Sequence, residues 1–155
     1  MEKVAVDELD SWIGPASVKR PVGKALGTEH VALNYYELAP GESFAFGYHA
    51  HEKQEEVFYV VEGTATFETD DGQLRVGAGE AVRFEPGEFQ RGVNEGTDRV
   101  RALAVGAPAD PGELTLLREC EPCGRRSEHR IEPRDDRRAL VTVCTDCGAE
   151  TGRYS

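Results

Sequence analysis

The chain has 155 residues, with 29 acidic against 18 basic side chains and a net charge of -11. That length supports one hydrophobic core and a small appendage rather than two full domains. The negative field argues against nucleic acid and anionic membranes as partners, and an apolar content of 39% argues against a disordered chain. The bases are 14 Arg and 4 Lys. An acid-rich, lysine-poor surface suits a halophile's concentrated salt, where the Debye length falls to about 3 Å at 1 M. A GC-rich genome, which favours Arg codons, explains the same bias. The first ten residues lack the apolar run of a secretory signal, and no stretch reaches membrane-span length. A cytoplasmic location is expected.

In chain order, residues 1–29 are interrupted by Gly14, Pro15, Pro21, Gly23 and Gly27. A short helical turn is expected near 7–12, with Trp12 packed on the rest of the fold. Strand-like runs follow at roughly 30–38, 43–51, 55–62, 64–69, 73–76, 80–84, 90–93 and 100–105. Turn residues separate them: Pro40-Gly41, Gly63, Asp70-Asp71-Gly72, Gly77-Ala78-Gly79, Pro86-Gly87 and Asn94-Glu95-Gly96. Many short strands at regular spacing predict an all-β sandwich or barrel. The Gly- and Pro-rich stretch 106–112 reads as a linker between residues 1–111 and 112–155.

Three residues carry metal chemistry. His49 and His51 are two apart, so on a strand they share one face. Glu56 follows a short polar turn and begins the run Glu56-Val57-Phe58-Tyr59-Val60-Val61. Two imidazoles and a carboxylate suit a first-row divalent ion with open positions. Glu55 is the rival ligand, but adjacent strand residues face opposite sides, so only one of the pair can serve. A lone histidine would more often be a satisfied polar residue; this triplet favours a metal.

The order His49-x-His51-x4-Glu56-x6-Gly63, then Gly79, Gly87 and Asn94, resembles the cupin family over about residues 30–106. The resemblance implies a cupin-type jelly-roll β-barrel, a divalent ion (Mn, Fe, Zn or Ni) held by His49, His51 and Glu56, and a small-molecule ligand. The count to Gly63 selects Glu56. Three positions depart from the family. Ser43 stands at the usual entry glycine, Glu85 at the motif's proline with Pro86 next, and Gln90 at the last metal-binding histidine. An amide oxygen at Gln90 would favour harder ions such as Mn and weaken Ni, Cu and Zn binding. Alternatively, Gln90 hydrogen-bonds a metal-bound water. Cupins commonly dimerise, so a homodimer is implied.

All four cysteines lie late in the chain, as Cys120-x-x-Cys123-Gly124 and Cys144-x-x-Cys147-Gly148 with 20 residues between the pairs. That spacing fits a structural Zn2+ site, and residues 112–155 resemble a zinc ribbon. From Arg118 to Ser155 the Leu, Ile, Val and Phe residues are only Ile131, Leu140, Val141 and Val143. Such a core needs a metal's folding energy. Arg125, Arg126, Arg130, Arg134, Arg137 and Arg138 are interleaved with Glu128, Glu132, Asp135 and Asp136, without aromatic residues for base stacking. The stretch reads as a charged, solvated loop with His129 as an exposed bystander.

Two functional readings follow: an enzyme performing oxygen-dependent cleavage or isomerisation at the barrel metal, and a sensor whose ribbon contacts a partner protein. The acidic surface also predicts a salt response. The thermal midpoint should rise between low salt and molar KCl as carboxylate repulsion is screened. A flat response leaves genome composition as the sufficient cause.

Overall fold

Period-two alternation sets the strands. In β9 (Val100–Ala107), Val100, Ala102, Ala104 and Gly106 are buried while Arg101 and Val105 face solvent. The computed structural model describes residues 1–155. The other strands are β1 (Val18–Arg20), β2 (Ala32–Leu38), β3 (Tyr48–His51), β4 (Glu55–Glu62), β5 (Thr64–Thr69), β6 (Gly72–Gly77), β7 (Ala81–Phe84), β8 (Gln90–Val93), β10 (Leu114–Cys120), β11 (Arg125–Arg134), β12 (Ala139–Cys144) and β13 (Glu150–Tyr154). A single short α-helix, α1, spans Val22–Leu26.

The strands form two antiparallel sheets. The first runs β1-β2-β9-β4-β7, and the second β13-β12-β11-β10-β3-β8-β5-β6. Their inner faces enclose a core that includes Leu38, Phe44, Phe58, Val60, Phe67, Phe84 and Val100. Phe44, Phe58, Phe67 and Phe84 pack ring against ring, with centroids 4.9 to 6.2 Å apart, within the range favoured by aromatic pairs. The all-β expectation holds. Segment 43–47, expected as strand, instead bends, making only an isolated bridge from Ser43 to Val93.

Asn94 anchors the core's rim. Its side chain is fully buried and donates to Leu38 O at 3.0 Å and Asp98 O at 2.8 Å, while Gly96 N donates to its Oδ1. All of its polar capacity is spent on backbone, so it closes a turn. Trp12 stays 44% exposed. Its indole meets the Lys19 and Lys24 ammonium groups instead of the core, at 5.7 and 5.4 Å.

The boundary expected at 111/112 falls inside one sheet. Strand β10 pairs with β3, placing Leu114 opposite His51 and Leu116 opposite His49. The stretch expected as a linker is strapped down. Lys53 N donates to Pro111 O, Glu52 N to Glu113 O, and the Gln54 amide to Pro108 O. Close approach of β10 requires Gly47, where a Cβ would lie 2.7 Å from Leu117 O.

The expected charged loop is a hairpin. β11 pairs with β12 through six register positions, from His129–Cys144 to Arg134–Ala139. Four of its six arginines are paired with acids: Arg125 with Asp146, Arg126 with Glu68 and Glu119, and Arg130 and Arg134 with Glu132. Exposed pairs of this kind each contribute about 0–1 kcal/mol, so they neutralise more than they stabilise. His129 is not an exposed bystander but is 4% exposed, sandwiched between Leu116 of β10 and Cys144 of β12. Nothing local in the sequence signals this, because the strand parity that buries it requires the β10–β11 register.

A chain ending at Pro111 should leave β3 as a bare edge strand and expose the apolar cavity beside it. Loss of cooperative urea unfolding, with aggregation in gel filtration, is the expected outcome. A monomeric, cooperatively unfolding product would show that the barrel closes without β10.

Candidate metal centre and cavity

Four side chains converge from three strands. His49 and His51 come from β3, Gln90 from β8 and Glu56 from β4. His49 and Gln90 are direct cross-strand partners in the second sheet. Glu56 reaches them from the first sheet, sharing the inward face with Phe58 and Val60. Glu55 points outward and pairs with Arg83 at 3.1 Å. Strand parity thus separates the two, with Glu56 and not Glu55 beside His49 and His51.

The donor atoms suit a cation. His49 is buried, and its Nδ1–H donates to Gly47 O at 3.0 Å. That tautomer leaves Nε2 with a free lone pair. His51 Nε2 lies 3.5 Å from Glu56 Oε2, and the ligand atoms of His49, His51 and Glu56 all fall within 4.8 Å of one another. Donors about 2.1 Å from one ion sit roughly 3.0 Å apart at right angles, so a modest contraction closes the triad.

Gln90 is 2% exposed. Its Nε2 donates to Glu56 Oε2 at 3.1 Å and lies 3.3 Å from His49 Nε2. Its Oε1 is buried with no partner, a deficit of about 1–3 kcal/mol. Rotating the amide by 180° exchanges the two atoms and aims Oε1 at the triad. The set therefore fits a divalent ion in either of two ways: with Gln90 as an oxygen ligand, or with Gln90 as a donor that holds the Glu56 carboxylate.

The triad opens into a cavity of about 300 Å³, at the small end of ligand pockets. Phe44, Phe46, Phe58 and Tyr36 line it together with Leu114, Leu116 and Ile131. The last three belong to residues 112–155, expected as a separate domain. Lys19 is the only Lys or Arg in the lining. Burial holds the Lys19 ammonium below its ordinary range, with Glu56 pulling the other way. Burial also pushes the Tyr36 phenol well up, so it stays protonated.

The four cysteines meet at the far end of β10. All four sulfur atoms lie within 4.8 Å of one another, with Cys120–Cys147 at 3.5 Å and Cys123–Cys144 at 3.9 Å. Disulfides need about 2.05 Å, and the thiols are free. Four sulfurs at about 2.3 Å around a tetrahedral ion would stand roughly 3.8 Å apart. Gly124 and Gly148 adopt left-handed φ of 65° and 75° and donate to Cys120 O and Cys144 O, each at 2.9 Å. Each C-x-x-C-Gly segment thus forms a tight knuckle. Backbone N–H groups of Cys147 and Asp146 bring the Cys144 thiol down to about 7 against desolvation. Neighbouring thiols push Cys123 up to about 12. Four thiolates cannot share this space without a cation.

Comparison with known proteins agrees with this architecture. Residues 34–106 match the family model described as the cupin domain. Over that stretch, just under half of its length, the chain resembles the cupin domain, and its fold is the all-β double-stranded β-helix. No curated protein matches the chain. Among solved structures it resembles a sugar phosphate isomerase of the cupin superfamily from Silicibacter pomeroyi, with 20% identity and TM-score 0.62, over 97% of this chain and 92% of that one. It also resembles the polyketide cyclase RemF from Streptomyces resistomycificus, with 23% identity and TM-score 0.64, over 78% and 88%. A third likeness is a predicted oxalate decarboxylase from Thermotoga maritima, with 20% identity and TM-score 0.59, over 69% and 99%. At these identities the likeness is one of fold. No helix is long and apolar enough to cross a membrane.

The buried His49 gives a pH prediction. Burial lowers its folded-state pKa from the ordinary 6.5, partly opposed by Glu56. The unfolded chain then binds that proton more readily, so stability is present above 6.5 and lost as pH falls through the folded value. Metal-free protein should lose urea stability as the pH falls below 6.5. His49→Gln should flatten that slope; an unchanged slope would place the acid sensitivity elsewhere.

Proposed function

We propose that the barrel holds a divalent ion through His49, His51 and Glu56, with Gln90 completing the set, and transforms a small organic molecule in the adjoining cavity. We infer further that the four cysteines hold one structural Zn2+. The observation that carries the first reading is the meeting of an unprotonated His49 Nε2, a carboxylate and an orphaned Gln90 Oε1 at the head of a largely apolar cavity. When bound, the ion supplies Lewis acidity or oxygen-dependent chemistry at an open position. The protein's own part is orientation and exclusion of water. Gly47 O fixes the His49 tautomer, Gln90 positions Glu56, and Phe44, Phe58 and Leu116 keep the head of the cavity dry. Glu56 is also the one carboxylate in the lining, so it is the candidate proton acceptor for a bound substrate.

The fold neighbours support a small-molecule reaction without choosing one. They are a sugar phosphate isomerase, a polyketide cyclase and a predicted oxalate decarboxylase. The second reading, a sensor, draws on β10. The same strand that walls the cavity with Leu114 and Leu116 ends at Cys120.

Metal analysis of untagged protein tests both sites. Two ions per chain are expected. His49→Ala with His51→Ala should remove one and Cys144→Ser the other, and retention of both ions in either variant would refute that site. Gln90 separates enzyme from sensor. Gln90→His should tighten Zn2+ or Ni2+ in the barrel, and Gln90→Ala should loosen the ion. In an enzyme these changes alter turnover more than substrate affinity. In a sensor they alter affinity, and oxygen uptake and product mass spectra stay blank with every metal.

A further inference from the structure

Lys19 lies in β1, far from both sequence motifs. Its place is fixed on both sides. Its main chain pairs with Tyr36 of β2, its N–H donates to Ser11 Oγ at 2.9 Å, and its carbonyl accepts from Trp12 N at 2.7 Å. The side chain enters the cavity wall beside Tyr36, His49 and Glu56. Nζ rests over the Tyr36 and Trp12 rings, at 5.6 and 5.7 Å from their centroids.

Those ring faces are weak partners, and no protein group accepts from the three ammonium N–H donors of this half-buried side chain. Lys19 makes no ion pair, although acids outnumber bases 29 to 18 in this chain and most arginines of the C-terminal hairpins have a carboxylate partner. Glu56 acts on Lys19 only at longer range, because the two are not within ion-pair distance. Placing a cation against apolar surface without a counter-ion costs free energy. A structural role as an apolar spacer would be filled better by Met or Leu.

We propose that Lys19 is the anchor for a negatively charged group on the cavity's ligand, making that ligand a small organic carboxylate with an apolar body. This assignment rests on the cavity being the ligand site proposed above and names its substrate class. The cavity has a polar head at the triad, Phe44, Phe46, Phe58 and Ile131 for the body, and a single fixed cation for the acid. A carboxylate at Nζ replaces the missing acceptor with a charge-assisted hydrogen bond.

The test is equilibrium binding of 3-phenylpropanoate against 3-phenylpropanamide, which share a shape and differ in charge. Wild type should prefer the acid by about tenfold or more. Lys19→Met should bind the two equally, keep the wild-type affinity for the amide, and retain its metal. Lys19→Arg should keep most of the preference. The same pair measured on His49→Ala/His51→Ala separates this proposal from the metal reading. Discrimination that survives there and vanishes in Lys19→Met supports Lys19 even if the barrel holds no ion. Discrimination that survives in Lys19→Met and vanishes without the two histidines puts the carboxylate at the metal and overturns the proposal. Equal binding of both probes to wild type, or binding of neither, also overturns it. A second readout needs no mutation. The chain has four lysines, so selective 13C-lysine labelling gives four resolvable ε-methylene signals. The Lys19 signal should move with the acid and stay still with the amide; an unmoved signal under saturating acid refutes the contact.

Discussion

The fold hinges on β3, a four-residue strand that can hold its place only through its neighbours. On one side β8 sets Gln90 opposite His49; on the other, β10 sets Leu116 opposite His49 and Leu114 opposite His51. This register fixes the face on which the imidazoles stand, because a slip of one residue would turn both outward. The Gly47 carbonyl then chooses the His49 tautomer. The position and face of the histidine pair follow from backbone pairing on both sides of β3, and the tautomer of His49 from a backbone carbonyl.

That dependence explains which parts of the site the sequence could reveal. His49, His51 and Glu56 were legible because strand parity is local: two residues apart means the same face, and one residue apart separates Glu56 from Glu55. The cysteine pairs were legible because a knuckle closes within five residues. Lys19, Leu116 and Ile131 were not legible, because their place in the cavity depends on strands paired across long stretches of chain. Val18-Lys19-Arg20 is a three-residue strand between turn residues, too short for its alternation to register. His129 carries no local sign of burial at all. The expected domain boundary followed the Gly- and Pro-rich composition of residues 106–112, but Pro108 O accepts from the Gln54 side-chain amide and Pro111 O from the Lys53 backbone N–H.

The thin apolar content of the C-terminal hairpins is offset in two ways. Four thiols gathered within 4.8 Å offer a cation site whose binding energy would be folding energy. The barrel supplies the rest. The Arg118 guanidinium donates to Phe46 O and to Tyr154 Oη, and the Phe46 and Tyr154 rings meet edge to face at 5.1 Å. The hairpins and barrel therefore share one hydrogen-bonded sheet and one set of aromatic contacts.

Strand β10 also sets an order of events as the chain is made. Synthesis proceeds from the N-terminus, so His49, His51, Glu56 and Gln90 leave the ribosome before Leu114, Leu116 and Ile131 do. Throughout that interval β3 has an unpaired edge, and the half-built cavity presents its aromatic wall to water. The β3–β10 pairing spans more than sixty residues of sequence, from Tyr48 to Leu117, and contacts of such separation form late and slowly. The nascent barrel is thus exposed to misassociation until nearly the last quarter of the chain has emerged, and the strand that ends this exposure is the one that leads into the cysteine cluster.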